Sequence, residues 1–191
     1  MWSRESMILM QCGFMLTMLF DFCFPSFASA ADGSSCLGVH VSRSSIEKYV
    51  PYINAYIQNV PTEHDNIVLF LATHDPDVLD ELLNALPHLN PSMIKTQQPR
   101  VLMRSTSEDI FDAHEDEKHR LNVEVLTHMY LLSKCDFFLH GNFVAAEAVM
   151  YINPALHNSS INIDLPDYQR KTPEEFAELV RKKSKARNMS T

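Results

Sequence analysis

Hydrophobic and polar positions alternate between two rhythms along this chain, short apolar runs and longer stretches at helical spacing. The run 36–42, Cys-Leu-Gly-Val-His-Val-Ser, is short, apolar and β-branched, which predicts a buried strand. From Ser45 to Val60 apolar residues recur at helical spacing (Tyr49, Tyr52, Ile53, Tyr56, Ile57, Val60), and Pro51 suits a first helical turn, so the helix proper is expected to start near Pro51. Residues 66–73 are too uniformly apolar for a half-exposed strand, and both faces should be covered. Asp75-Pro76 then opens a helix whose apolar face is Val78, Leu79, Leu82, Leu83 and Leu86.

A weaker strand is expected at 100–104, followed by an exposed charged stretch at 105–118. Residues 121–134 read as an apolar helix and 135–140 as a fourth strand. Gly141 permits a turn into a small-residue helix at 144–151. A fifth strand at 160–163, a turn at 165–168 and a helix opened by Thr172-Pro173 and running through Val180 complete the order. Strand and helix alternate throughout, which demands an α/β, doubly wound, mostly parallel Rossmann-like sheet with right-handed crossovers.

A chain of 191 residues with 46% hydrophobic content holds one core of ordinary size, expected here at 36–180, with a basic tail at 181–191 whose run 181–187 reads as a solvated helix end or a frayed tail rather than a binding patch. Residues 7–20 are uncharged, follow Arg4 and lead to Ala28-Ser29-Ala30, which is signal-peptide grammar. The expectation for 1–30 is a cleaved leader, with a Golgi-type anchor or an artefactual gene start as alternatives, and for the protein a secretory-pathway or secreted location. Asn158-Ser159-Ser160 and Asn188-Met189-Ser190 are glycosylation sequons, although Asn158 falls beside an expected buried strand. Cys12 and Cys23 belong to the leader, while Cys36 and Cys135 either pair or stay free, with a buried thiol favoured for Cys135. The net charge of −8 gives duplex nucleic acid no electrostatic footprint.

In an open doubly wound sheet, ligands lie beyond the carboxyl ends of the strands. That rule selects His40, Ser42 and Arg43 after the first strand, Thr73, His74 and Asp75 after the second, and His140, Gly141 and Asn142 after the fourth. The turn at Gly141 into a helix offers backbone N–H groups to an anion, and Arg43 could add a planar cation suited to phosphate. Asp75 serves either a ligand or its own helix as N-cap. His114 and His119 lack metal-site spacing and read as solvated surface. No Walker A, Gly-x-Gly-x-x-Gly or Gly-x-Ser-x-Gly sequence occurs.

Three stretches carry a family resemblance: Leu37-Gly38-Val39-His40-Val41, residues 70–76 (FLATHDP), and above all residues 124–151 (EVLTHMYLLSKCDFFLHGNFVAAEAVMY) with Asn153-Pro154. Together they resemble the donor-binding half of α-1,6-, nodulation and protein O-fucosyltransferases, in a degenerate or truncated form. The resemblance implies one half of a two-domain GT-B architecture that binds GDP-fucose without an obligatory metal and passes the sugar, with inversion, to a glycan or protein hydroxyl. A partner chain would then be needed to complete the cleft. By the same resemblance, an arginine two residues after the strand-one histidine contacts the pyrophosphate; this chain has Ser42 there and Arg43 one residue later. The loop that normally follows is shortened, His128 stands where an aspartate is frequent, and Asn142-Phe143 replaces a serine-rich turn. On this reading Arg43 is the catalytic candidate and His40, Asp75, His140, Gly141 and Asn142 are donor contacts. A non-catalytic secretory-pathway binding or regulatory protein that keeps the fold is the alternative.

Overall fold

A computed structural model of the chain describes residues 35–41, 45–60, 67–73, 75, 77–96 and 115–189. The expected leader with Cys12 and Cys23, together with Arg43, His74, His114, the strand expected at 100–104 and most of the charged stretch after it, lies outside the described residues.

Five strands pair in parallel in the order β3-β2-β1-β4-β5: β1 Ser35–Val41, β2 Ile67–Thr73, β3 Ile94–Thr96, β4 Phe137–His140 and β5 Ser160–Asn162. The helices between them are α1 Val50–Asn59, α2 Asp77–Ala85, α3 Glu115–Ser133 and α4 Val144–Ile152, with α5 Pro173–Asn188 at the end. This is the α/β Rossmann-like arrangement that the alternation demanded. β1 is central because the chain first winds outward through β2 and β3, then crosses back to add β4 and β5 on the other side.

Side chains on a strand point alternately to opposite faces, so the sheet builds two cores. Leu37, Val39, Val41, Leu69, Leu71, Phe137, Leu139 and Ile161 face α1, α2 and α5, where Tyr49, Ile53, Tyr56, Leu82, Phe176 and Val180 complete the larger core. Cys36, Phe70, Ala72 and Phe138 face α3 and α4, meeting Leu131, Leu132, Cys135, Ala146 and Val149. Burying β1 on both faces explains its lack of polar alternation. Among the described residues no helix is long and apolar enough to cross a membrane.

Three tyrosines fasten the start of α1 and its body to the sheet and to the segment that leads into α5. Tyr49 donates to the His40 carbonyl at 3.1 Å, Tyr56 to Ser35 Oγ at 2.8 Å and Tyr52 to the Lys171 carbonyl at 2.7 Å. Burial pushes the Tyr49 and Tyr56 hydroxyls well above their ordinary range, so both remain neutral donors.

One strand and one helix end were not expected. β3, Ile94–Thr96, is only three residues long and exposed at Lys95 and Thr96, too brief and too polar to stand out by periodicity. The last helix does not stop at Val180 but runs to Asn188, taking in most of the expected basic tail. Its basic residues find partners: Lys183 Nζ donates to the Asp136 carbonyl at 2.6 Å above the Phe137 ring, Arg187 lies 3.6 Å from the Asp136 carboxylate, and Arg181 donates to Asn59 Oδ1 at 2.8 Å. Thr172 starts α5 with a capping box to Glu175, as its sequence position suggested. Asn158 ends a short 3-10 turn and is exposed rather than covered by the neighbouring strand.

Leu132 of α3 and Cys135 of the turn after it pack directly on Gly38. A Cβ there would meet Leu132 Cδ2 at 3.0 Å and Cys135 Sγ at 3.3 Å. Leu132 can swing aside, whereas Cys135 is held in the turn that enters β4. Gly38→Ala is therefore expected to cost about 1–2 kcal/mol and Gly38→Val more, the usual scale of overpacking. Urea unfolding of the two variants checks this, and an alanine variant as stable as the parent would refute it.

Candidate site at the carboxyl ends of β1 and β4

In a 3-2-1-4-5 sheet the direction of winding reverses between β1 and β4, and a crevice opens at their carboxyl ends. The register sets His40 directly opposite His140 at that point. Both imidazoles are buried on the face covered by α3 and α4. His40 stacks on Phe143 with ring centroids 4.1 Å apart and planes 8° from parallel, while His140 stacks on Phe138 at 4.9 Å. Tyr49 grips the His40 carbonyl from the opposite face of the sheet, so the end of β1 is held from both sides.

His140 Nδ1 lies 2.9 Å from the Gly141 carbonyl, which can only accept, so Nδ1 carries the proton and Nε2 keeps its lone pair. Burial lowers the pKa of this imidazole, opposed more weakly by the Gly141 hydrogen bond and by Asp164. A depressed folded pKa means that the unfolded chain takes up the proton first as the solution is acidified. The stability due to neutral His140 is therefore complete above the ordinary histidine value of about 6.5 and is lost as pH falls through the lower folded value. Urea midpoints measured from about pH 7.5 to pH 5 should fall more steeply for the parent than for His140→Gln; parallel slopes would remove His140 from the acid response.

Beside His40 a small cleft, with about 20 Å³ of room for water-sized occupants, runs between α3 and α4. Its walls are mostly apolar: Met129 and Leu132 from α3, Ala146 and Val149 from α4, Phe138 from β4 and Phe143 from the turn. His40 and His128 supply its imidazole edges, and His128 also meets the edge of Phe70 at 6.3 Å.

The turn at Gly141 is already engaged. The Asn142 N–H donates to Asp164 Oδ2 at 2.7 Å, Asn162 Nδ2 donates to Asn142 Oδ1 at 2.8 Å, and the Asp164 N–H donates to Asn162 Oδ1 at 3.0 Å. A carboxylate of the chain itself thus holds an N–H that an anionic ligand would use. Phe143, with no side-chain acceptor, stands at the N-cap of α4.

The structure brings His40, His140, Gly141 and Asn142 together at one edge. Asp75 is one strand away, exposed, and its Oδ1 accepts the Asp77 N–H at 3.0 Å, so it caps α2. Arg43 lies outside the described residues. His119 is exposed on α3, and among the described residues no group of three or more His, Cys, Asp or Glu is placed to hold a metal ion. Sequence reasoning missed Asn162 and Asp164, although the rule applied to the first, second and fourth strands reaches them when applied to β5. Phe143 and His128 stood out only as departures from a pattern. No protein-family model, curated protein or solved structure matches the chain.

Proposed function

We propose that this chain is a fucosyltransferase-like, nucleotide-sugar-binding domain that takes GDP-fucose at the carboxyl ends of β1 and β4, for transfer to a glycan or protein hydroxyl in the secretory pathway. The observation that carries the reading is the opposed pair His40 and His140 at the winding reversal, with a small, mostly apolar cleft beside His40. In this reading the base or sugar lies against the cleft, the N–H groups at the Gly141 turn meet the diphosphate, and Arg43 neutralises the charge on the departing nucleotide. A second chain supplies the opposite wall of the cleft and the acceptor.

One observation favours a different outcome for the same fold. Asp164 holds the Asn142 N–H and places a negative charge where the diphosphate would lie. This suits a binding or regulatory protein that keeps the sheet without catalysing transfer.

Calorimetric titration of the chain with GDP and GDP-fucose, beside Arg43→Ala, tests the proposal. Binding that weakens about 10- to 100-fold in the variant, the scale of a charge-assisted arginine–phosphate contact, is the expected result. No heat from either nucleotide at millimolar concentration would overturn the donor-site reading.

A further inference from the structure

The two cysteines lie at the other end of the sheet from the histidines. Cys36 is near the start of β1, and Cys135 sits in the turn between α3 and β4; both thiols are free and buried. The backbone around them is fixed by two hydrogen bonds, from the Cys36 N–H to Asp136 Oδ2 at 3.0 Å and from the Asp136 N–H to the Cys36 carbonyl at 2.9 Å. The Cys135 thiol donates to the Leu131 carbonyl at 3.7 Å and is also in hydrogen-bonding contact with Cys36.

Leu37 is the register partner of Phe137, so residue 36 stands beside the segment that carries Cys135. A disulfide spans roughly 4.4–6.8 Å between Cα atoms. The backbone hydrogen bonds pair Cys36 with Asp136, so Cys135 is its diagonal neighbour, and a strand spacing of about 4.8 Å with a rise of about 3.3 Å per residue sets such neighbours about 6 Å apart, within that window. Both side chains point to the face covered by α3, as the shared core and the approach of Cys135 Sγ to Gly38 require.

We propose that Cys36 and Cys135 form a latent disulfide, closed by a low-molecular-weight disulfide such as oxidised glutathione. One cysteine thiolate attacks a sulfur of the oxidant, forming a mixed disulfide and releasing one small thiol. The second cysteine then attacks the protein-side sulfur and releases the other. The protein gives up two electrons and two protons, and the oxidant's S–S bond is replaced by the protein's own and two small thiols. The link would clamp β1 to the entrance of β4, across about a hundred residues of intervening chain.

Burial pushes the Cys135 thiol well above its ordinary range, so exchange in the folded protein is slow and the bond is set most readily during refolding. The test refolds the full chain from urea in mixed reduced and oxidised glutathione, followed by chymotryptic digestion without reduction. Cleavage after Phe27, Leu37, Leu132 and Phe137 isolates Cys36 from the two leader cysteines and releases Cys135 separately. The expected result is a linked pair of peptides, 28–37 with 133–137, and a urea midpoint about 1–2 M above that of the reduced chain. Dithiothreitol should reverse both effects, and Cys135→Ser should show neither. Alkylation of both thiols after refolding, glutathione on either one, or linkage to Cys12 or Cys23 would overturn the proposal. Those peptide patterns are read on the parent chain, so they decide the matter even where the serine variant does not refold.

Discussion

Replacing Phe137 with alanine should lower the stability of this protein by about 3–5 kcal/mol, a large part of what a domain of this size has available. Phe137 is 2% exposed and sits where three elements meet. Its ring lies edge-on to Tyr56 of α1 at 5.7 Å and to Phe176 of α5 at 5.6 Å, and Lys183 passes 4.9 Å above it. Truncation leaves a void that none of these can fill, because Tyr56 is tied to Ser35 and Lys183 to the Asp136 carbonyl. The measurement is urea unfolding followed by far-UV circular dichroism, with Tyr168→Ala as a companion. Tyr168 is 84% exposed, so its truncation should move stability by no more than about 0.5 kcal/mol. A loss below about 1 kcal/mol at Phe137 would show that the core can close around the gap.

Asp164→Asn should tighten the binding of GDP about tenfold, close to 1.4 kcal/mol. The amide keeps an oxygen that can accept the Asn142 N–H now held at 2.7 Å, but it removes the charge that an incoming diphosphate must confront. Two unit charges about 5 Å apart near a protein surface repel by up to roughly 3 kcal/mol, and part of that is lost to counterions. The gain should therefore shrink as salt is raised. Some stability is given up in exchange, about 1 kcal/mol, because a charge-assisted hydrogen bond becomes a neutral one. Calorimetry at two ionic strengths reads the effect directly. Weaker binding in the variant would mean that Asp164 accepts from the ligand, and the anion would then have to be sought elsewhere.

Most of the architecture was legible because apolar runs and helical spacing rarely coincide in this chain. Residues 66–73 admit no half-exposed strand, and β2 is buried on both faces as that pattern required. Pro51 marked the start of α1 through its missing N–H, and Thr172-Pro173 marked that of α5. What escaped depended on contacts between distant segments. A helix end at 181–187 could be read locally, but not that Lys183, Arg187 and Arg181 reach Asp136 and Asn59, which no local pattern links to them. The site was legible as a place, since the residues after β1 and β4 could be named from strand ends alone. Its occupancy by Asp164 was not, because that contact needs β5 set beside β4 in a particular register.

The central position of β1 also bears on how the chain is made. Its partners on one side, residues 67–73, follow soon after it, but those on the other side, residues 137–140, leave the ribosome about a hundred residues later. At ordinary elongation rates of about 5–20 residues per second, one edge of a seven-residue apolar strand stays unpaired for roughly 5–20 s. An unpaired strand edge is a template for any other chain that can add to it. The nascent protein thus carries its greatest aggregation hazard at what becomes the middle of the finished sheet, and a chaperone acting during synthesis would find its binding segment at residues 35–41.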